Sequence, residues 1–147
     1  MTGILAAGIY RPLAAASVAI SDQNISKTRR GTATAGYSIA NDGRAKDADG
    51  NILEAWLLGF GGSVSNYEVR ATAQSGSLST GTTGSWFACS TTRSWTLSNS
   101  NGDNSRITTV ILVEIRLVST GVVQDSATIT LNAESVESGG GGGGGML

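Results

Sequence analysis

Histidine is missing altogether from this 147-residue sequence, and cysteine occurs once, as Cys89. Without histidine there is no Ser-His-Asp triad, no Cys-His pair and no imidazole-ligated metal. A single cysteine excludes an internal disulfide and any thiolate cluster for zinc or iron–sulfur. Charge is scarce as well: 14% of residues are charged and the formal net charge is −1, which leaves no basic footprint for nucleic acid. Lysine occurs only at Lys27 and Lys46, both in polar surroundings, so Ser-Lys chemistry has little to build on. Aromatic content is 5%, low for stacking sugars. These absences point to a protein that is not an enzyme and uses no metal or cofactor.

Long apolar runs are also lacking. Residues 1–10 are mildly apolar but carry no basic residue, and Arg11 and Pro12 interrupt them. Neither a cleaved leader nor a membrane insertion is expected from that pattern.

Ser and Thr together make up roughly a quarter of the chain, 21 residues are Gly and one is Pro. Ser, Thr and Gly weaken helices, whereas Thr and the β-branched aliphatics suit pleated sheets. The low charge fits a surface that ends up packed among neighbours.

The pattern divides into three parts: an arm over residues 1–16, a β domain over 17–133 and a tail over 134–147. Gly3, Gly8 and Pro12 break any helix in the arm, which reads as an extended segment with the apolar knobs Ile4, Leu5, Ile9, Tyr10 and Leu13. Alternation begins at Ser17-Val18-Ala19-Ile20-Ser21 and is followed by a turn at Asp22-Gln23-Asn24. It returns over residues 32–39, and Asn41-Asp42-Gly43 is a hairpin-type turn signal. Residues 41–51 read as a polar loop. Over 52–60 helix and strand compete, and glycines at 59, 61 and 62 favour a short strand and a bend.

Tyr67, Val69, Ala71 and Ala73 alternate with polar residues, then a Ser/Gly/Thr loop spans 75–84. Short strands follow at Trp86-Phe87-Ala88-Cys89 and Ser94-Trp95-Thr96-Leu97, with a turn over 99–104. The strongest strand covers 108–117, with Ile111, Val113, Ile115 and Leu117 on one face. After the turn Ser119-Thr120-Gly121, Ala127, Ile129 and Leu131 share a face. Seven or eight short strands with turns between them predict an antiparallel β-sandwich. Trp86 and Trp95 are expected to plug its core beside Ile111, Val113 and Ile115. In the tail, seven glycines at 139–145 precede Met146 and Leu147, which with the arm's Ile4, Leu5, Ile9 and Tyr10 are candidate partner contacts.

Other motifs carry less. Asp47-x-Asp49-x-Asn51 begins like a calcium loop, but Ile52 and Leu58 stand where an EF-hand needs Gly and an acidic ligand, so a solvated turn is the better reading. The acidic pairs Glu134/Glu137 and Asp42/Asp47 have nothing to place them across a cleft. Cys89 reads as a buried thiol. Lys27, Arg29 and Arg30 read either as a charged edge that blocks illicit strand pairing or as a patch for an acidic partner subunit.

The elements Tyr67-Glu68-Val69-Arg70-Ala71-Thr72, Gly81-Thr82-Thr83-Gly84-Ser85-Trp86, Thr92-Arg93-Ser94-Trp95, Val113-Glu114-Ile115-Arg116 and Gln124-Asp125-Ser126-Ala127-Thr128-Ile129-Thr130-Leu131 resemble a group of small β-rich proteins encoded in tailed-bacteriophage structural gene clusters. The likeness covers a little under half of the chain, excludes the arm and the glycine tail, and carries no catalytic motif. It implies an immunoglobulin-like or fibronectin-like sandwich serving as a virion component, often tail-associated and assembled in the bacterial host cytoplasm. The partners it implies are other virion proteins and copies of the same chain. Capsid decoration is the second placement. A host surface receptor or glycan, met by the loops at 75–84 or 99–104, belongs to a competing reading as an adhesion module.

Overall fold

Period-two alternation makes a strand wherever one side can be dried against a second sheet. The computed structural model describes residues 18–40, 44–53, 56–58, 64–80 and 84–137. Among these, eleven strands occur: β1 (Val18–Ile20), β2 (Gln23–Arg30), β3 (Ala33–Ile39), β4 (Ala45–Asp47), β5 (Ile52–Leu53), β6 (Trp56–Leu58), β7 (Tyr67–Ser75), β8 (Phe87–Ala88), β9 (Arg93–Asn99), β10 (Ser105–Leu117) and β11 (Val123–Val136). A 3-10 turn at Val64–Asn66 leads into β7. The fold of the described residues is all-β and sandwich-like.

One sheet has the order β2-β11-β10-β7-β8 and the other β5-β4-β3-β9, while β1 and β6 form a separate pair. Between the two larger sheets lie Ile111, Val113 and Ile115 of β10, Ile129 and Leu131 of β11, Val69 of β7, Tyr37 and Ile39 of β3, and Trp95 and Leu97 of β9. Each fully buried Val, Ile or Leu contributes about 1.5–3 kcal/mol relative to an exposed one. Small residues, Ala33, Ala35, Ala71, Ala127 and Ala133, make room for the two large rings. Trp95 is fully buried, with its ring 5.9 Å from Tyr37 and 5.7 Å from Phe87.

Five expectations need correction. Trp86 is half-buried rather than a core plug. It lies beside Arg70 and Arg116 on the outer face of the five-stranded sheet, because the pairing Val69↔Phe87 turns Phe87, one residue on, towards Trp95. Gln23 and Asn24, expected in a turn with Asp22, already lie in β2, and only Ser21 and Asp22 stand between it and β1. β2 pairs with β11 in parallel, from Ile129↔Gln23 to Val136↔Arg30, so the sheet is mixed and not purely antiparallel. As an edge strand β2 buries only Ile25, which hides it from any alternation test. β11 extends to Val136, past the boundary at 133, because Ser135 is buried and its hydroxyl donates to the Gly31 carbonyl. The polar loop at 41–51 contains β4, hairpinned onto β5 through Ala45↔Leu53.

The β4–β5 turn also settles the basic cluster. Lys27 and Arg29 both reach Asp49, and Arg30 donates to the Glu137 carbonyl at 3.3 Å. β2 and the β4–β5 turn belong to different sheets, so this cluster ties the sheets together at one edge.

Candidate functional site

Apolar side chains that stay exposed after a sheet protein has folded are the first place to seek a contact surface. Among the described residues the large exposed ones are Val118, Val122 and Val123, at 51%, 56% and 43%, and Ile52. The three valines share the tip of the β10–β11 hairpin. That tip is well braced: Gly121 N donates to Leu117 O at 2.8 Å, Leu117 N to Val122 O at 3.1 Å, and Val118 N to Asn66 O at 2.9 Å. Gly121 has φ of 70°, the left-handed conformation that closes the turn without strain. From Leu117 to Gln124 no residue is charged.

The chain joins the body at the same end. Going backwards, Gln23 lies opposite Ile129, Asp22 accepts from Thr128 N at 2.8 Å, and Ile20 N donates to Asp125 Oδ2 at 2.8 Å. The path therefore runs along β11 towards the valine tip. It leaves the body after Val136, where Gly31 N donates to Val136 O at 3.1 Å. At about 3.3 Å per strand residue, the two points are about 40 Å apart along β11.

The outer face of the five-stranded sheet carries a second constellation. Arg70 donates to Glu114 at 2.8 and 3.0 Å, and Arg116 to Glu68 at 3.0 Å. Both guanidiniums lie over the Trp86 ring, at 4.4 and 4.1 Å from its centroid. Each charge is matched across strands, so the arrangement braces the sheet and offers no reacting group.

On the outer face of the four-stranded sheet, a shallow groove of about 310 Å³ is lined by Thr34, Gly36, Ser38, Lys46, Ser94 and Thr96 among others. A Cβ on Gly36 would come within 3.2 Å of Thr96 and 3.3 Å of Ala48, so glycine keeps this groove open. The acidic loop beside it is built as a turn. Asp47 accepts from Asp49 N and Asn51 N, both at 2.9 Å, and from Asn51 Nδ2 at 3.1 Å. Burial opposes the charge on Asp47, but these hydrogen bonds outweigh it and lower its pKa. No group of three acidic or thiol side chains converges on a metal position among the described residues.

Cys89 is fully buried. Burial, reinforced by the charge of Glu68, pushes its thiol up from 9.0 to about 12. The unfolded thiol ionises first, so its contribution to stability is whole below pH 9.0 and is lost as pH rises towards about 12. Native protein at neutral pH is expected to resist a thiol reagent until urea unfolds it, and its urea midpoint should fall as the pH passes 9.0. Rapid labelling of the folded chain would contradict this.

Of the residues expected to matter from sequence, Trp95, Ile111, Val113 and Ile115 meet in one core. Ile4, Leu5, Ile9, Tyr10, Met146 and Leu147 lie outside the described residues. Sequence reasoning missed Val118, Val122 and Val123. The available signal was an apolar residue on either side of Ser119-Thr120-Gly121, where a hairpin turn is ordinarily polar. No protein-family model, curated protein or solved structure matches the chain.

Proposed function

We propose that the chain is a non-enzymatic structural protein of a tailed-phage virion. It docks in the tail-tip or tail-fibre region and meets neighbouring subunits through the residues before Val18 and after Glu137. The polarity of the body carries this reading: an apolar hairpin tip and the incoming chain share one end, while the outgoing chain leaves at the other. A body of that kind can contact one neighbour at each end, and contacts repeated over many copies gain avidity because each target is already local.

The strand order supports the immunoglobulin-like form of the sandwich. β3 pairs with β9 in one sheet, β7, β10 and β11 are consecutive neighbours in the other, and the first edge strand β2 runs parallel to the last strand β11. This matches the B–E and C–F–G pairings of that fold, with β4, β5 and β6 inserted between its B and C positions. Truncation after Glu137 should leave thermal unfolding unchanged and reduce incorporation into particles. Full incorporation of the truncated chain would remove the role given to the tail. Counting copies per purified particle by mass spectrometry separates the placements: a few to a dozen means the tail, hundreds the capsid.

The hydroxyl-lined groove over Gly36 favours a second reading, a host-glycan adhesion module. Binding of the purified protein to host cells or to a glycan array would select it over the first.

A further inference from the structure

We infer that Asn101 is a site of spontaneous covalent modification: the folded chain deamidates at the Asn101–Gly102 bond, and this loosens the β9–β10 turn as the protein ages. The inference stands apart from the virion proposal.

Glycine follows asparagine only at Asn101-Gly102 in this sequence. Asparagine is a thermolabile residue, and glycine after it leaves the next backbone nitrogen without a Cβ beside it. The pair lies in the β9–β10 turn with Asn101 exposed. Asn101 N is held by Asn99 Oδ1 at 3.0 Å, and Asn101 O accepts from Ser105 Oγ at 2.8 Å in an exposed bond that water can replace. The two groups that react are not held. Among the described residues the Asn101 carboxamide and the Gly102 N–H take no hydrogen bond.

The chemistry closes with water as the one co-reactant. Gly102 N attacks Asn101 Cγ. The N–Cγ bond forms, the Cγ–Nδ2 bond breaks, and the Gly102 proton leaves with the amide nitrogen as ammonia. Water then opens the cyclic imide, adding hydroxide to a carbonyl carbon and a proton to the nitrogen. Opening at Cγ gives aspartate. Opening at the main-chain carbonyl gives isoaspartate, whose backbone is one atom longer. Nothing is oxidised or reduced.

The fold singles out this pair. Asp49-Gly50 has the same form in the β4–β5 turn, but Gly50 N already donates to Asp47 O at 3.0 Å, and Lys27 and Arg29 hold Asp49. Asn99 is buried, with its carboxamide engaged by Ser105, Ala133 and Asn101. Asn104 precedes Ser105, which carries a Cβ and is already paired with Ser135. The backbone does not demand glycine at 102. Gly102 is outside the left-handed region, and a Cβ there would meet nothing nearer than Glu137 Cα at 4.0 Å.

The effect falls on the clasp between the sheets. Asn99 grips Asn101 N with its Oδ1 and Ala133 O with its Nδ2. Isoaspartate lengthens the chain between that grip and the first residue of β10. Either product adds a negative charge to the formal −1 of the chain, on the turn that carries Asp103 and lies against Glu137.

The test stores the purified full chain, folded and warm at mildly alkaline pH, and digests it with trypsin beside an unstored control. Cleavage after Arg93 and Arg106 releases residues 94–106, which hold Asn99, Asn101 and Asn104 together. Tandem mass spectrometry should find a gain of one mass unit at Asn101 and none at the other two. Gly102→Ala should slow the conversion severalfold with thermal unfolding unchanged. Asn101→Asp adds the charge without the extra backbone atom and should unfold at the wild-type temperature, whereas the isoaspartate fraction separated by ion exchange should unfold lower. Conversion at Asn99 or Asn104 ahead of Asn101, an equal rate in Gly102→Ala, or conversion only after urea has unfolded the chain would overturn the site. An isoaspartate fraction as stable as fresh protein would overturn its effect on the turn.

Discussion

Replacing Trp95 with alanine is expected to destabilise the fold by about 3–5 kcal/mol, the cost of emptying a fully buried tryptophan site. The ring lies on β9 and touches both sheets, with Tyr37 on β3 at 5.9 Å and Phe87 on β8 at 5.7 Å. Its neighbours cannot collapse into the gap without dragging one sheet across the other, so the cavity term stays close to its full size. Against a total stability of about 5–15 kcal/mol for a single domain, this is a third or more of the whole. Urea unfolding followed by circular dichroism measures it as a large fall in midpoint at constant slope. Trp86→Ala is the control. That ring is half-buried and held by Arg70 and Arg116, so its loss should cost about 1–2 kcal/mol in cation–π and packing contacts. Equal losses at the two tryptophans would show that the distinction between core and outer face is wrong.

Asn99→Ala is expected to cost about 3 kcal/mol, although it removes almost no apolar surface. Asn99 is buried at the end of β9. Its Nδ2 donates to Ser105 O at 2.9 Å, Ser105 Oγ at 3.0 Å and Ala133 O at 3.1 Å, and its Oδ1 accepts from Asn101 N at 3.0 Å. One side chain thus fixes the β9–β10 turn and pins it to β11 in the opposite sheet. Alanine leaves the Ala133 carbonyl without this partner in a buried place, and the half-buried Ser105 carbonyl and Asn101 N–H without theirs at the turn. Asn99→Asp separates the two halves of the role, because it keeps the acceptor for Asn101 N and loses the donors to Ala133 and Ser105. It should be at least as damaging as alanine, since it also buries a charge. Hydrogen exchange at Asn101, whose N–H is held by Asn99 Oδ1 and is expected to be protected in the wild type, reports the turn directly. Unchanged protection in Asn99→Ala would refute the assignment.

Asn99 and Trp86 show where a sequence stops being readable. Residues 67–73, 108–117 and 127–131 alternate because one face of each strand is dry, and their strands appear where the pattern predicts them. β2 is silent because an edge strand with one inward residue, Ile25, has nothing to alternate with. Its partner lies over a hundred residues away, so no local signal marks it. Trp86 and Trp95 look alike in sequence. β8 is two residues long, too short for parity to say which side of the sheet receives each ring. The valine tip was overlooked for the converse reason: apolar residues at a strand's end look like a continuation of its buried face. Only the geometry of the hairpin shows that they have passed the edge of the opposing sheet.

The parallel seam between β2 and β11 also governs the order of events during synthesis. Asp22 and Thr128 meet although 106 residues separate them, and β2 has no other strand beside it in its sheet. Closing so large a loop is slow and comes late in folding. While the ribosome is still making β11, β2 lacks its partner strand, and the sandwich-like body closes only after Val136 has emerged. The end where β1 and the hairpin tip meet therefore takes its final form only on chains in which β11 has been made, so that surface reports that the seam has closed.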